Sequence, residues 1–194
     1  MRLGIDASNL RTGGGITHIA ELLRAAQPQE YGIRKVVLWA GQQTLQQLPW
    51  QPWLELVHEP MLDQPLPVRQ YWQRTKLSRL ARQACDCLFV PGGSFSGSFR
   101  PFITMSQNML PFESAERQRY GFSPMAAKMR LLQFSQSRSF RQADGVIFLT
   151  EYARSIITKA TGLKGSQLVV PHGINRRFFR APREQKAIDQ YSWS

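Results

Sequence analysis

The chain has 194 residues, 42% hydrophobic and 20% charged, enough for one globular domain with its own core and far from the composition of a disordered chain. Lys and Arg number 25 against 13 Asp and Glu, a formal charge of +12 that suits a polyanionic partner, whether nucleic acid, an anionic membrane surface or a phosphorylated substrate. No run approaches the ~18 apolar residues of a membrane span, and "MRLGIDASNL" lacks the apolar core of a secretory signal, which predicts a cytoplasmic protein.

Strand-like and helix-like segments alternate along the whole chain. Arg2–Asp6 reads as a strand, followed by "RTGGG" (Arg11–Gly15) and an apolar-periodic helix over Ile16–Ala26. Lys35–Ala40 ("KVVLWA") is a second strand, Gln42–Leu48 a short helix and Leu54–His58 a third strand. After the Pro-rich "EPMLDQPLPV", a helix is predicted over Arg69–Ala84. Its Leu77, Leu80, Ala81 and Ala84 share one side, with Lys76, Arg79 and Arg82 opposite and Trp72 among them. Cys85 and Cys87 follow. Their spacing is too close for an easy disulfide, and no nearby ligand completes a zinc set, so two buried reduced thiols are expected and no metal. Further strands are predicted over Cys87–Gly93, Phe102–Asn108, Gly145–Thr150 and Gln167–Gly173, with helices over Ser123–Gln142 and Glu151–Thr161.

Short strands rich in Val, Ile, Leu and Phe, alternating with helices, predict an α/β fold with a doubly wound, mostly parallel, Rossmann-like sheet. Such sheets bind ligands beyond the carboxyl ends of their strands. Asp6 and the glycine run, Pro91–Ser94, Gln107 with Asn108, Thr150 with Glu151, and His172 with Gly173 all fall there. Each cluster singly reads as a turn or a cap; their recurrence at one edge marks a site. Gly13, Gly14 and Gly15 precede a helix, where free backbone N–H groups and the helix dipole suit a phosphate. A flexible strand-to-helix connection is the competing account. The dinucleotide fingerprint fails, because His18 stands where its third glycine belongs, and no P-loop Gly-Lys-Ser/Thr occurs.

The opening "RLGIDASNLRTGGGITHIAELL" resembles that of retaining glycosyltransferases of the GT-B fold (family four, the group 1 glycosyl transferases), in which a Gly-Gly pair follows the first strand and a histidine often follows four residues on, as Gly13-Gly14 and His18 do here. "ITMSQNMLPFE", "ADGVIFLTEYARSIITKATG" and "LVVPHGINRRFF" are similar to later landmarks of that family, in the same order. The resemblance implies that residues 1–180 form an amino-terminal, acceptor-side domain, one half of a GT-B fold. Residues 181–194 would begin the interdomain linker, and a carboxy-terminal nucleotide-sugar domain would lie outside this chain. It implies transfer of a sugar from a nucleotide-sugar, a substrate rather than a cofactor, to a polysaccharide or lipid-linked acceptor with retention and without a metal. It further implies that Gly13–Gly15 make room for the donor diphosphate, and that Gln107, Asn108, Thr150 and Glu151 line the donor–acceptor cleft. Where relatives carry a histidine in the "SQN" loop, Gln107 can hydrogen-bond a hydroxyl but cannot take a proton. Without its second half such a domain is expected to be inactive.

A non-catalytic module for a phosphorylated sugar or anionic lipid is the alternative. His18 is expected to pack or cap, and His58 and His172 make no triad argument. The face formed by Trp72, Lys76, Arg79 and Arg82 suits an anionic membrane surface, which would place the protein on the inner face of the membrane; a solvated face is the plainer reading. Nucleic-acid binding rests on charge alone, with neither a helix-turn-helix nor a base-stacking motif, and the sequence reads against it.

Overall fold

The computed structural model of the chain describes residues 1–173 and 179. Seven parallel strands form one sheet: β1 (Arg2–Asp6), β2 (Lys35–Ala40), β3 (Leu54–His58), β4 (Cys87–Val90), β5 (Phe102–Ser106), β6 (Gly145–Phe148) and β7 (Ser166–Val169). Their order is β3-β2-β1-β4-β5-β6-β7. The chain therefore winds outward from β1 to β3, crosses back to β4, and winds the other way to β7. Ile5 of β1 registers with Leu38 of β2 on one side and Phe89 of β4 on the other. The reversal of winding lies between β1 and β4, where sheets of this kind leave a crevice at their carboxyl edge. The α/β, doubly wound, Rossmann-like arrangement expected from the sequence is the one the chain adopts.

Helices cover both faces, and each face has its own core. On one, α1 (Gly14–Ala25) buries Ile16, Ile19 and Leu23 against Ile5, Leu38 and Phe89, while α2 (Gln42–Leu45) lies beside β3. On the other, α3 (Leu66–Trp72), α4 (Ser78–Ala84), α6 (Pro124–Gln142) and α7 (Glu151–Thr161) bury Trp72, Ala81, Phe140 and Ile157 against Val90, Phe102 and Phe148. The short α5 (Ser114–Gln118) precedes α6. Covering both faces explains why β4 reads "CLFV" with every residue buried, whereas a sheet open on one side would alternate. Cys85 and Cys87 are buried free thiols where α4 runs into β4, as expected.

The predicted strands run past their true ends. β4 stops at Val90, β5 at Ser106, β6 at Phe148 and β7 at Val169, where the chain turns into loops, although the Val170 N–H still donates to the Phe148 carbonyl at 2.8 Å. The predicted helix Arg69–Ala84 needs a larger correction. It begins at Leu66 and is interrupted by a π-helical turn over Gln73–Leu77 before resuming as α4. A π turn accommodates one extra residue, which swings everything before it by about 100° relative to everything after. Trp72, placed on the basic face by an unbroken helix, is thereby rotated into the core. It is 0% exposed, and its indole N–H donates to Glu59 Oε2 at 3.0 Å. Lys76, Arg79 and Arg82 remain exposed, so the basic face exists but has no tryptophan.

Candidate functional site

All seven strands being parallel, their carboxyl ends share one edge, and the exit of β1 is its most elaborated part. Asp6, the last residue of β1, is 2% exposed. Its Oδ1 accepts from the Ser8 N–H at 3.0 Å and its Oδ2 from Gln73 Nε2 at 2.6 Å. Burial raises its pKa above the ordinary carboxylate value, and the bonds from Ser8 and Gln73 pull it part of the way back. Gln73 also donates to the Ser94 carbonyl at 3.0 Å, while its Oε1 accepts from the Ser96 N–H at 3.1 Å and hydroxyl at 3.0 Å. One buried amide thus ties the β1 exit to the loop after β4. The π turn is what aims it there.

The loop that follows is held first and open later. Leu10 O accepts from Thr44 Oγ1 at 2.6 Å, and Ser8 O from Arg69 Nη1 at 2.7 Å. Beyond Arg11, Thr12, Gly13 and Gly14 are exposed. Gly13 sits at φ +77°, ψ −158°, a conformation essentially confined to glycine, and starts α1 with no side-chain cap. In the first turn of α1 the Ile16 and Thr17 N–H groups donate to the Gly13 carbonyl at 3.2 and 3.4 Å, which leaves those of Gly14 and Gly15, with no side-chain cap and no acid in the turn, to attract an anion. A Cβ on Gly14 would meet nothing within 4 Å, but one on Gly15 would come within 2.9 Å of Leu10 Cδ2 and 3.5 Å of Gln107 Oε1. Each glycine answers a different need: backbone angle, open approach, and close packing. Gln107, at the exit of β5, thus has its amide oxygen beside Gly15, while its Nε2 donates to Met105 Sδ at 3.5 Å.

Two guanidinium groups lie near this loop. Arg69 is half-buried, its Nε has no partner, and burial followed by the charge of Arg11 depresses its pKa. Arg11 Nη2 donates weakly to the Asp63 carbonyl at 3.4 Å. Neither arginine makes a salt bridge among the described residues. The Asp63 carboxylate is occupied instead by His58 Nε2 and by the Gln42 N–H, each at 2.7 Å, and His58 foremost holds it below its ordinary pKa. Arg11 acts on the same carboxylate through space without forming an ion pair, and two neighbouring cations so incompletely compensated favour an anion.

The remaining predicted residues are placed less centrally. Asn108 Oδ1 accepts from the Leu110 N–H at 3.0 Å and closes a local turn. Thr150 caps α7, its Oγ1 accepting from the Ala153 N–H at 3.0 Å, and Glu151 pairs with Arg154 one turn on at 2.6 Å. The hydrogen bonds of both stay within α7. His18 packs, as expected, with its ring edge-on to His172 at 4.7 Å between centroids. Its Nε2 has no partner, and burial, then His172, lowers its pKa, so the ring is neutral at physiological pH. Arg11, Arg69, Gln73 and the His58–Asp63 pair join the site only in the folded structure. Arg69 was visible as the first residue of the basic helix. Gln73 carried no signal, since its inward direction depends on the π turn.

A scan against protein-family models finds no match to this chain, and a search of the curated proteins finds none either.

Proposed function

We propose that this domain is the acceptor-side half of a retaining glycosyltransferase, moving a sugar from a nucleotide-sugar to a polysaccharide or lipid-linked acceptor at the cytoplasmic side of a membrane. The observation that carries the reading is the nearness of Gln107 to Gly15, its Oε1 3.5 Å from where a Gly15 Cβ would stand, at the edge where the winding of the sheet reverses. It brings the loop after β5 to an uncapped helix amino terminus whose glycines leave a bulky diphosphate room to approach. Backbone N–H groups directed at departing charge stabilise it without reorganising. Arg11 and Arg69 would hold a second anionic group, such as the phosphate of a lipid-linked acceptor. Gln107 would orient a sugar hydroxyl. Of the described helices none is long and apolar enough to cross a membrane, so the acceptor would be met at the membrane surface.

The test is a transfer assay on the full product of the gene, with a panel of nucleoside-diphosphate sugars and lipid-extract acceptors, the anomeric configuration of the product being read by NMR. Transfer with retention is expected. Inversion, or no consumption of any donor, overturns the proposal.

A second reading is favoured by the state of Asp6, whose two oxygens are both engaged and which is thus poorly placed as a base. On that reading the domain binds a phosphorylated sugar or anionic lipid without catalysis. Transfer by the 194-residue chain alone would exclude it.

A further inference from the structure

α6 stands out from the other helices of its face. Within Pro124–Gln142 there is no acidic residue, and Lys128, Arg130, Arg138 and Arg141 are all exposed. At 100° per residue, Ala127, Arg130, Leu131, Phe134, Arg138 and Arg141 fall within a sector of about 100°. That sector is the outward one. Leu131 is 69% and Phe134 65% exposed, whereas Met129, Gln136, Ser139 and Phe140 are buried on the inward side. Phe122, one residue before the Ser123 cap, is fully exposed. An exposed helix normally offers polar residues to water; this one offers large apolar side chains flanked by arginines. Among the nearby acids, Glu116 is paired with Arg119 at 3.1 Å. α4 enters the same core as α6, from the same side of the sheet, and adds exposed Arg79 and Arg82 to that side.

We propose that the outward face of α6, with Phe122 at its amino-terminal end, is the surface by which the protein seats on an anionic lipid bilayer. Phe122, Leu131 and Phe134 would enter the boundary between headgroups and acyl chains. Arg130 and Arg138 lie on the same sector, with stems long enough to follow the apolar side chains while their guanidiniums reach lipid phosphates. Charge selects the occupant. A second copy would bring a like-charged, acid-free face against this one, and a neutral surface would leave the arginines without partners. The surface is the outer side of a helix and not the sheet edge, so vesicle binding and sugar transfer can succeed or fail independently.

The test is co-sedimentation of the full-length protein with vesicles of phosphatidylcholine alone and with an added phosphatidylglycerol fraction. Binding to the anionic vesicles only is expected. The triple variant Phe122→Ser, Leu131→Ser, Phe134→Ser should bind at least tenfold more weakly with an unchanged circular dichroism spectrum. Arg130→Gln with Arg138→Gln should weaken binding in low salt and leave a smaller salt dependence. Should the triple variant misfold, a dye on Phe134→Cys gives an independent readout, because Cys85 and Cys87 are buried and stay unlabelled. Its emission should shift to the blue on anionic vesicles. Equal binding by wild type and triple variant, equal binding to neutral vesicles, no binding at all, or a dye left unshifted would each overturn the proposal. So would a concentration-dependent dimer abolished by the Phe134 change while vesicle binding persists, since the face would then belong to a second copy.

Discussion

Replacing Gln73 by leucine tests the organisation of the site more severely than any change in the glycine loop. The side chains are similar in volume, so the core is not opened. What is lost is four hydrogen bonds from one amide, to Asp6, Ser94 and both donors of Ser96. Ser96 is exposed and can turn to water, but Asp6 Oδ2 and the Ser94 carbonyl lose a buried partner. At about 1–3 kcal/mol for each orphaned group, more for a charged one, the cost should be about 3–5 kcal/mol. For a domain of this size that is a fall of roughly 6–20 °C in Tm. The penalty should also depend on pH. Native Asp6 keeps its proton above the ordinary value of 3.8, at which an unfolded carboxyl releases it. The native state therefore binds more protons in that window, and stability falls as the pH rises through it. Donation by Gln73 favours the ionised carboxylate, so removing it raises the Asp6 pKa further and enlarges the penalty toward alkaline pH. Urea unfolding of wild type and Gln73→Leu at about pH 5 and about pH 8 measures both effects. A cost below about 1 kcal/mol, or one larger at the acidic pH, would refute the assignment of Gln73 as the tie between the two loops.

Gly13→Ala should cost about 1–3 kcal/mol, because its positive φ is forced, whereas Gly14→Ala should leave the melting temperature unchanged yet weaken nucleotide-sugar binding; thermal melts paired with calorimetric titration separate the two. Thr150→Ala removes the cap of α7 and should destabilise by about 1 kcal/mol in chemical denaturation. Burial, foremost, pushes the Cys85 thiol up to about 11 and raises that of Cys87, so neither should react with a thiol reagent at neutral pH until the protein is unfolded. Rapid labelling of the native protein would show that the helix-to-strand junction is open.

The strands were legible because their signal is local: "KVVLWA" and "CLFV" are apolar runs that make sense only between two helical layers. The glycine loop was legible for a similar reason, since three glycines ahead of a periodic helix are rare without a backbone need. Gln107 was found by its position after a strand, though not its nearness to Gly15, which depends on the separation of β1 and β5 by the intervening β4. Thr150 and Glu151 were singled out by the same positional rule and by the resemblance, and the bonds they make, a cap on Ala153 and an ion pair with Arg154, are local. Trp72 was expected on the wrong face and Gln73 gave no signal, both from a single cause. Periodicity counts residues at a fixed 100°, and a π turn alters the count without altering the composition.

That turn makes the domain sensitive to length in a way few of its surface loops are. Deleting one residue between Gln73 and Leu77 would restore an uninterrupted α-helix from Leu66 to Ala84, of high local propensity and with no break in its hydrogen bonding. It would also put the two halves out of phase. With Leu77 and Ala81 kept in the core, Arg69 and Trp72 would rotate off the sheet; with those held, Leu77 and Ala81 would turn to water. The extra residue thus allows one helix to meet two surfaces whose directions do not match, the sheet core at one end and the mouth of the crevice at the other. A locally more regular chain would fold into a less complete protein.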